Sequence, residues 1–293
     1  MQAVKINDLS KRYKKSAFTL QIDNLRIESG SIFGLLGPNG AGKTSLLKLL
    51  MDFIRPDTGS IEILGHNSSD REKLQTQISY MSENKNLYPD MTVKNMLDYA
   101  ASIVPAWDND KALELRNIFP LDLKKRISTL SYGEKTQLYA ILTFARSAEL
   151  FILDEPTRGL DPLMQEQMLK LIKEKSWQGK TIIFSSHQLG EIEQNADSLA
   201  MLRNGKIILE GNLDDLKSEL FVLKLEKSEN TNILPSFLNI VARYYHNEKL
   251  IVLCKGGMEA RPRLRSDFDY FHPENVNLKD IFFMLMENGG EEK

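Results

Sequence analysis

The strongest constraint on this sequence is a glycine-rich segment of eight residues. The apolar run Ile32–Leu36 before it predicts a buried strand, and leucines at helical spacing over residues 43–53 predict a helix after it. The segment consists of Gly37, Pro38, Asn39, Gly40, Ala41, Gly42, Lys43 and Thr44. It fits the pattern G-x-x-x-x-G-K-[ST] in the strand–loop–helix context that the pattern requires, which argues against an incidental glycine turn.

The segment predicts a binding site for the phosphates of a nucleoside triphosphate. Glycines let backbone N–H groups converge on phosphate oxygens, and the start of a helix adds partial positive charge at the same place. We expect Lys43 to reach the β- and γ-phosphates and the Thr44 hydroxyl to bind Mg²⁺. The next residue, Ser45, is also expected to contact the nucleotide.

A second apolar run, over residues 150–153, ends in the adjacent carboxylates Asp154 and Glu155. At the end of a buried strand, Asp154 can hold Mg²⁺ and Glu155 can act as the general base on the attacking water. Such a pair by itself is a weak signal because solvated turns often contain one. Together with a phosphate loop upstream, it predicts nucleotide hydrolysis.

The order of the remaining motifs resembles that of the ATP-binding subunit of an ABC transporter. Residues 130–134, Leu-Ser-Tyr-Gly-Glu, are similar to the signature Leu-Ser-Gly-Gly-Gln of that family. They are followed by the two carboxylates, by the D-loop-like residues 159–161 and by the switch-histidine pair Ser186-His187. The resemblance covers roughly residues 1–214.

The resemblance implies roles for residues outside the phosphate loop. Tyr13 is expected to stack on adenine, His187 to sense the γ-phosphate and orient Glu155, and Asp161 to belong to the D-loop. Lys43, Glu155 and His187 form the expected catalytic set. A surface aromatic at Tyr13 and a structural histidine at His187 are the alternatives.

The signature and the Q-loop depart from the family's pattern. Ser131 and Gly133 are retained, so we expect them to cap the nucleotide held by a second subunit. Tyr132 and Glu134 replace a glycine and a glutamine of the signature. Glu83 stands where the family has glutamine, and as a carboxylate it is expected near Mg²⁺ or water.

The pattern predicts an α/β fold. We expect a P-loop NTPase core with a parallel sheet, an N-terminal antiparallel β part made of short strands, and a helical subdomain at about residues 85–148. Strands alternating with helices support the parallel sheet. A change of pattern after residue 214 predicts a small C-terminal α+β domain over residues 215–293, beyond the ATP-binding domain of residues 1–214.

The amino-acid composition indicates where in the cell the protein acts. The 293 residues include 38 Lys+Arg and 40 Asp+Glu, so the net charge of −2 gives no argument for binding nucleic acid. The single cysteine, Cys254, cannot form an internal disulfide, which fits a reducing cytoplasm. Because it ends an apolar run, we expect it to be buried. No apolar stretch is long enough to span a membrane. We expect a cytoplasmic protein, held on the inner face of the cell membrane by a permease subunit.

Function follows from the resemblance as a hypothesis. We expect an ATPase that uses Mg²⁺ and ATP to drive export of peptides, antimicrobials or lipids through a separate transmembrane permease. Its partner ATPase is either a second copy or a related subunit. The local patterns over residues 80–93, at Trp107-Asp108 and over residues 278–283 are similar to those of ABC-2-type exporters, including those near GntR-type regulators.

Two alternatives remain open. One is a regulatory subunit that binds ATP without hydrolysing it, against which the intact Asp154, Glu155 and His187 argue. The other is an ABC ATPase acting on DNA or the ribosome, against which the single phosphate loop and the lack of basic excess argue.

Overall fold

The computed structural model describes residues 1–13, 17–226, 234–235, 237–246, 249–256 and 274–287. The chain divides into two compact units, Met1–Ile207 and Ile208–Lys293. The boundary that we predicted, at residue 214, lies a few residues later, within the helix Leu213–Glu219.

The elements of the described residues are named in chain order. The strands are β1 (Gln2–Arg12), β2 (Thr19–Glu28), β3 (Ile32–Leu36), β4 (Thr58–Ile63), β5 (His66–Asn67), β6 (Ile78–Met81), β7 (Leu150–Asp154), β8 (Thr181–Ser186), β9 (Ser198–Arg203), β10 (Lys206–Asn212), β11 (Leu220–Glu226), β12 (Asn239–His246), β13 (Lys249–Lys255) and β14 (Glu274–Asn275). The helices are α1 (Lys43–Leu50), α2 (Arg71–Leu74), α3 (Val93–Ile103), α4 (Asn109–Ile118), α5 (Tyr132–Phe144), α6 (Pro162–Trp177), α7 (Leu189–Asn195), α8 (Leu213–Glu219) and α9 (Leu278–Glu287).

Five parallel strands form the centre of the first unit, in the order β9-β3-β8-β7-β6. Every residue of β3, β7 and β8 is buried. Strands covered by other elements on both faces need such continuous apolar runs, which explains why the sequence pattern predicted them correctly. The carboxyl ends of β3, β7 and β8 therefore meet at one edge of the sheet, where the predicted site residues follow.

The antiparallel part differs from the prediction in strand length. Instead of several short strands, β1 and β2 are two long strands that pair continuously from Val4↔Ile27 to Arg12↔Thr19, and β1 also pairs with β4. Alternating buried side chains run along both strands. The prediction divided these strands because the sequence pattern does not show their pairing; the polar residues between the apolar ones face solvent within continuous strands.

Helix α1 is shorter than its leucine pattern predicted. It ends at Leu50, since Asp52 adopts a left-handed backbone with φ of 50°. Phe53, the last residue of the predicted pattern, is 57% exposed and does not continue the buried face. Between β6 and β7 the chain is helical, with α3, α4 and α5 packed in the expected subdomain. The predicted P-loop fold with antiparallel and helical parts is confirmed.

The second unit contains a four-stranded antiparallel sheet, in the order β12-β13-β11-β14, together with α8 and α9. Its apolar cluster includes Phe221, Val252 and Cys254, each fully buried. This is the expected α+β arrangement, and the predicted burial of Cys254 is confirmed. Part of the predicted domain, including residues 257–273, lies outside the described residues. No helix in the described ranges has the length and apolar character needed to cross a bilayer.

Candidate active site

The phosphate loop joins β3 to α1 and folds around its own lysine. Lys43 Nζ donates to the carbonyl oxygen of Gly37 at 2.7 Å. Gly42 has φ of 113°, and a Cβ there would lie 2.9 Å from a side-chain carbon of Leu20, so this turn requires glycine. The Lys43 side chain is buried and lies with its positive charge beside the loop, where phosphate oxygens would be attracted.

A cleft of about 550 Å³ opens beside this loop. It brings together residues from four separate parts of the chain: the segment before β2, the phosphate loop, the segment after β6 and the segment after β7. The lining residues are Tyr13, Phe18, Pro38, Asn39, Gly40, Gly42, Lys43, Thr44, Ser45, Glu83, Glu155 and Arg158. The volume suits a nucleotide-sized ligand.

Two aromatic residues form one wall of the cleft. Tyr13 Oη donates to Ser45 Oγ at 3.0 Å, which anchors the ring beside the start of α1. The ring of Phe18 lies 6.0 Å from that of Tyr13, at an angle of 48°. Phe18 was missed in the sequence, where it carries no motif. Its only signal is its position just before β2, opposite Tyr13 in the β1–β2 connection.

Asp154 is held at the end of β7 by its neighbour in the sheet. Its Oδ1 accepts a hydrogen bond from Ser185 Oγ at 2.7 Å, and the same Ser185 oxygen accepts one from the Glu155 N–H at 2.9 Å. The Asp154 side chain is fully buried, and its Oδ2 has no hydrogen-bond partner among the described residues. Ser185 thus fixes both carboxylate residues, while Oδ2 of Asp154 stays buried and unpaired.

Glu155 lies between two potentially cationic side chains. Its Oε2 is 2.7 Å from His187 Nδ1, and its Oε1 is 3.5 Å from Lys43 Nζ. The residue is buried and has φ of 49°, a conformation that costs energy for a residue with a Cβ. His187 follows β8 and is half-exposed, so it can meet a ligand on its other side. The structure brings together the three predicted catalytic residues.

Glu83 is paired within the cleft. Arg158 Nη1 donates to Glu83 Oε1, and Tyr132 Oη donates to the Glu83 carbonyl oxygen at 3.2 Å. Partial burial raises the pKa of Tyr132, so its phenol stays protonated as a donor. Arg158 was missed in the sequence. Its position directly before the D-loop-like residues 159–161 was the available signal.

The signature residues do not line this cleft. Ser131 caps α5 by accepting from the Glu134 N–H at 3.1 Å, while Glu134 Oε2 accepts from the Ser131 N–H at 2.7 Å. This reciprocal pair is a capping box. Gly133 faces Gly159, whose carbonyl oxygen would lie 2.7 Å from an added Cβ. Within one chain these residues start a helix and pack closely.

Asp161 also has a local role. It caps α6 by accepting from the Met164 N–H at 3.0 Å, and Pro162 follows at the first helical position. Of the predicted nucleotide-binding residues, the lining of the described cleft lacks Ser131, Gly133 and Asp161, and also Gly37 and Ala41 of the phosphate loop. Asp154 and His187 are not part of the lining either, although both lie next to Glu155.

A buried lysine lies behind the Glu83 segment. Lys85 Nζ donates to the Ser82 carbonyl oxygen at 2.6 Å and lies 5.4 Å from the centre of the Tyr139 ring. Burial lowers the pKa of Lys85 to about 8. The nearby charge of Asp154 acts in the opposite direction without offsetting it.

The oxygens of the site fit a magnesium ion. Mg²⁺ prefers hard oxygen ligands and is usually held by one or two protein groups together with substrate phosphates. The unpaired Asp154 Oδ2 and the Thr44 hydroxyl at the start of α1 supply these oxygen ligands. The Glu83 carboxylate, which we also predicted as a ligand, is engaged by Arg158.

Comparison with known proteins agrees with this geometry. The family model "ABC transporter" matches residues 20–158. The chain is 37% identical to an uncharacterized ABC transporter ATP-binding protein of Nostoc, over 73% of this chain and 67% of that protein. It is 35% identical to the bacitracin transport ATP-binding protein BcrA of Bacillus licheniformis, over 73% of this chain and 71% of the relative.

A solved ATP-binding subunit of an ABC transporter has a similar fold, with a TM-score of 0.66 and 29% identity over 73% of this chain and 92% of that one. The parallel sheet, the phosphate loop and these relatives lead to one conclusion. The chain belongs to the ABC transporter family, as an ATP-binding subunit that hydrolyses ATP.

Proposed function

We propose that hydrolysis depends on Mg²⁺ and that Glu155 is the general base. The observation that carries this proposal is the placement of the buried Glu155 carboxylate between Lys43 and His187, beside the cleft. Lys43 would attract the β- and γ-phosphates, and His187 would contact the γ-phosphate and orient Glu155. Tyr13 would stack on adenine.

Thr44 and Asp154 would hold the metal ion. When bound, Mg²⁺ neutralises charge that develops on the phosphate oxygens. Ser185 binds the Asp154 carboxylate and the Glu155 backbone N–H, and so holds these two residues in place at the end of β7. Glu83 could join these ligands only after leaving Arg158.

The working unit in this proposal is a dimer. Ser131, Gly133 and Asp161 lie outside the cleft of their own chain, so the residues that cap the triphosphate would come from a second subunit. A two-fold arrangement would form two such sites, each with the phosphate loop of one subunit and the signature of the other. The second subunit is either another copy or a related ATPase.

The transport partner would be a separate transmembrane permease. Binding to it would hold this chain on the cytoplasmic face of the cell membrane. The relative that is named for bacitracin transport supports an antimicrobial or similar peptide as cargo. Export is the direction that we predicted. Lipids are the other cargo class that we predicted.

Steady-state hydrolysis of ATP tests the base assignment. Glu155→Gln keeps the shape of the side chain but cannot accept a proton. We expect kcat to fall by about 10²–10⁴-fold while ATP binding is retained. Chelation of Mg²⁺ should abolish turnover of the wild type. Turnover close to wild type in Glu155→Gln would refute the role of Glu155.

Complementation tests the dimer. Lys43→Ala disables the phosphate loop and Ser131→Arg blocks the signature, so each variant alone should be inactive. In a dimer of one Lys43→Ala chain and one Ser131→Arg chain, the altered phosphate loop and the altered signature belong to the same site. The other site then has an intact phosphate loop and an intact signature. Random exchange should restore about a quarter of the wild-type turnover per chain, because half of the dimers carry one intact site each. No recovery despite exchange would exclude a homodimer with shared sites and favour a related ATPase as partner.

A further inference from the structure

Two residues that depart from the family's pattern are in contact with each other. Glu83 replaces the Q-loop glutamine and Tyr132 replaces a signature glycine. In the structure, Tyr132 Oη donates to the Glu83 carbonyl oxygen at 3.2 Å, and its ring packs against Gly159. Arg158, the neighbour of Gly159, donates to the Glu83 carboxylate. Tyr132 therefore contacts the segments that carry both partners of this ion pair.

The ion pair lies in the nucleotide cleft. Glu83 and Arg158 line the same cavity as Lys43 and Gly40 of the phosphate loop. Arg158 is 52% exposed, and a pair this accessible contributes little to folding stability. Arg158 can therefore exchange the Glu83 carboxylate for a phosphate at little cost in folding stability. The planar guanidinium also matches the geometry of a phosphate group well.

We propose that Arg158 is a binding residue for the triphosphate and that Glu83 restrains it. In this inference the Glu83–Arg158 pair sets the affinity for ATP. With the pair closed, the positive charge of Arg158 is neutralised by Glu83. When the triphosphate enters, Arg158 turns from Glu83 to the phosphates. The inference rests on the proposed function in one respect only, that the triphosphate binds in this cleft.

Neutralising Glu83 and neutralising Arg158 should change the affinity for ATP in opposite directions. Glu83→Gln leaves the guanidinium free, so ATP should bind more tightly. Arg158→Gln leaves an unpaired carboxylate facing an anion, so ATP should bind more weakly. The double variant removes both charges and should resemble the wild type. A merely structural pair would instead weaken binding in both single variants.

The test measures the Kd for ATP with the purified full-length chain in excess EDTA, so that any contact of Glu83 with Mg²⁺ does not contribute. We expect Kd to fall about tenfold in Glu83→Gln, to rise about tenfold in Arg158→Gln, and to return to within about threefold of wild type in the double variant. Tyr132→Phe, which loses only the hydroxyl, should lower Kd by about two- to threefold because Glu83 is held less firmly.

Three controls accompany this series. Arg158→Lys keeps the positive charge but loses the planar guanidinium, so its Kd should lie between those of the wild type and Arg158→Gln. Lys180→Gln breaks an ion pair with Glu149, 2.7 Å long, that is not part of the cleft lining, and should leave Kd unchanged. Lys43→Ala should weaken binding strongly, which verifies the site.

The outcomes separate the two proposals. Equal Kd values across the Glu83 and Arg158 series, or weaker binding in both single variants, would overturn the inference while the effect of Lys43→Ala still supports the site. An unchanged Kd in Lys43→Ala would overturn the proposed site itself, and the inference with it.

Discussion

Ser185 offers the sharpest test of how the site is held together. This fully buried residue of β8 donates to Asp154 Oδ1 at 2.7 Å and accepts from the Glu155 N–H at 2.9 Å. Ser185→Ala removes both hydrogen bonds with almost no change in shape. Asp154 then loses the one hydrogen bond described for its buried carboxylate, and the Glu155 N–H loses its acceptor.

The cost can be worked from these two bonds. A buried hydrogen bond to a charged carboxylate contributes about 1.5–3 kcal/mol, and an unsatisfied buried N–H costs about 1–3 kcal/mol. Together they predict a loss of about 2.5–6 kcal/mol in the free energy of unfolding of the nucleotide-free protein, or a fall of about 5–24 °C in Tm for a unit of this size. Because Glu155 loses its anchor, kcat should also fall, by about tenfold.

Urea denaturation followed by tryptophan fluorescence measures the stability. The chain has two tryptophans, Trp107 and Trp177, and both belong to the first unit, so the signal reports on that unit. Ser79→Ala is the matched control. Ser79 is also buried, but its hydroxyl makes one neutral hydrogen bond, to the Thr143 carbonyl oxygen at 2.8 Å. Its loss should cost only about 1 kcal/mol and leave kcat unchanged.

One result of comparing Ser185→Ala with Ser79→Ala would refute the role of Ser185. If Ser185→Ala is no less stable than Ser79→Ala and hydrolyses ATP at the wild-type rate, then Ser185 does not hold the two carboxylates. A loss of stability without a loss of kcat would restrict its role to Asp154 and the sheet.

Two further predictions concern buried titratable groups. Burial lowers the pKa of Lys85 from 10.5 to about 8, so the unfolded chain binds this proton more tightly and the charged lysine opposes folding below pH 8. Lys85→Met should therefore be about 1–3 kcal/mol more stable than wild type at pH 7, and this difference should shrink as the pH rises from 8 towards 10.5. Urea denaturation across this pH range measures the difference, and a constant difference would contradict the reasoning. Burial also raises the pKa of Cys254 to about 12, so dithiobis(nitrobenzoate) should label the folded protein slowly at pH 8 and the urea-unfolded protein at once. Rapid labelling of the folded protein would show that the thiol is accessible.

The elements that the sequence predicted well share a physical reason. The phosphate loop, the strand before it and the carboxylates after β7 are encoded by short contiguous patterns, so no partner segment is needed to identify them. The helix α1 was predicted too long because leucine spacing does not reveal the left-handed turn at Asp52. The long strands β1 and β2 were divided into short ones because only the pairing between them shows that they are continuous.

The predicted roles of Glu83 and Ser131 needed spatial information. Motif position placed Glu83 near the metal, whereas the structure pairs its carboxylate with Arg158, far away in the sequence. Motif position predicted that Ser131 caps the nucleotide of a second subunit; in its own chain Ser131 caps α5 outside the cleft lining, and its role across subunits stays a prediction. Single-chain geometry thus separates residues that serve the cleft directly from those that would need a second subunit.

The sequence by itself determined the chemistry: a triphosphate-binding loop, two adjacent carboxylates at a strand end and a histidine after another strand. It could do so because backbone turns and strand ends depend on a few neighbouring residues. The tertiary structure alone decided which side chains meet. Ser185 reaches Asp154 because β7 and β8 are parallel neighbours that end at the same edge, and Arg158 reaches Glu83 because the segments after β6 and β7 border one cleft. Such contacts depend on strand order in the sheet, and strand order is a property of the whole fold.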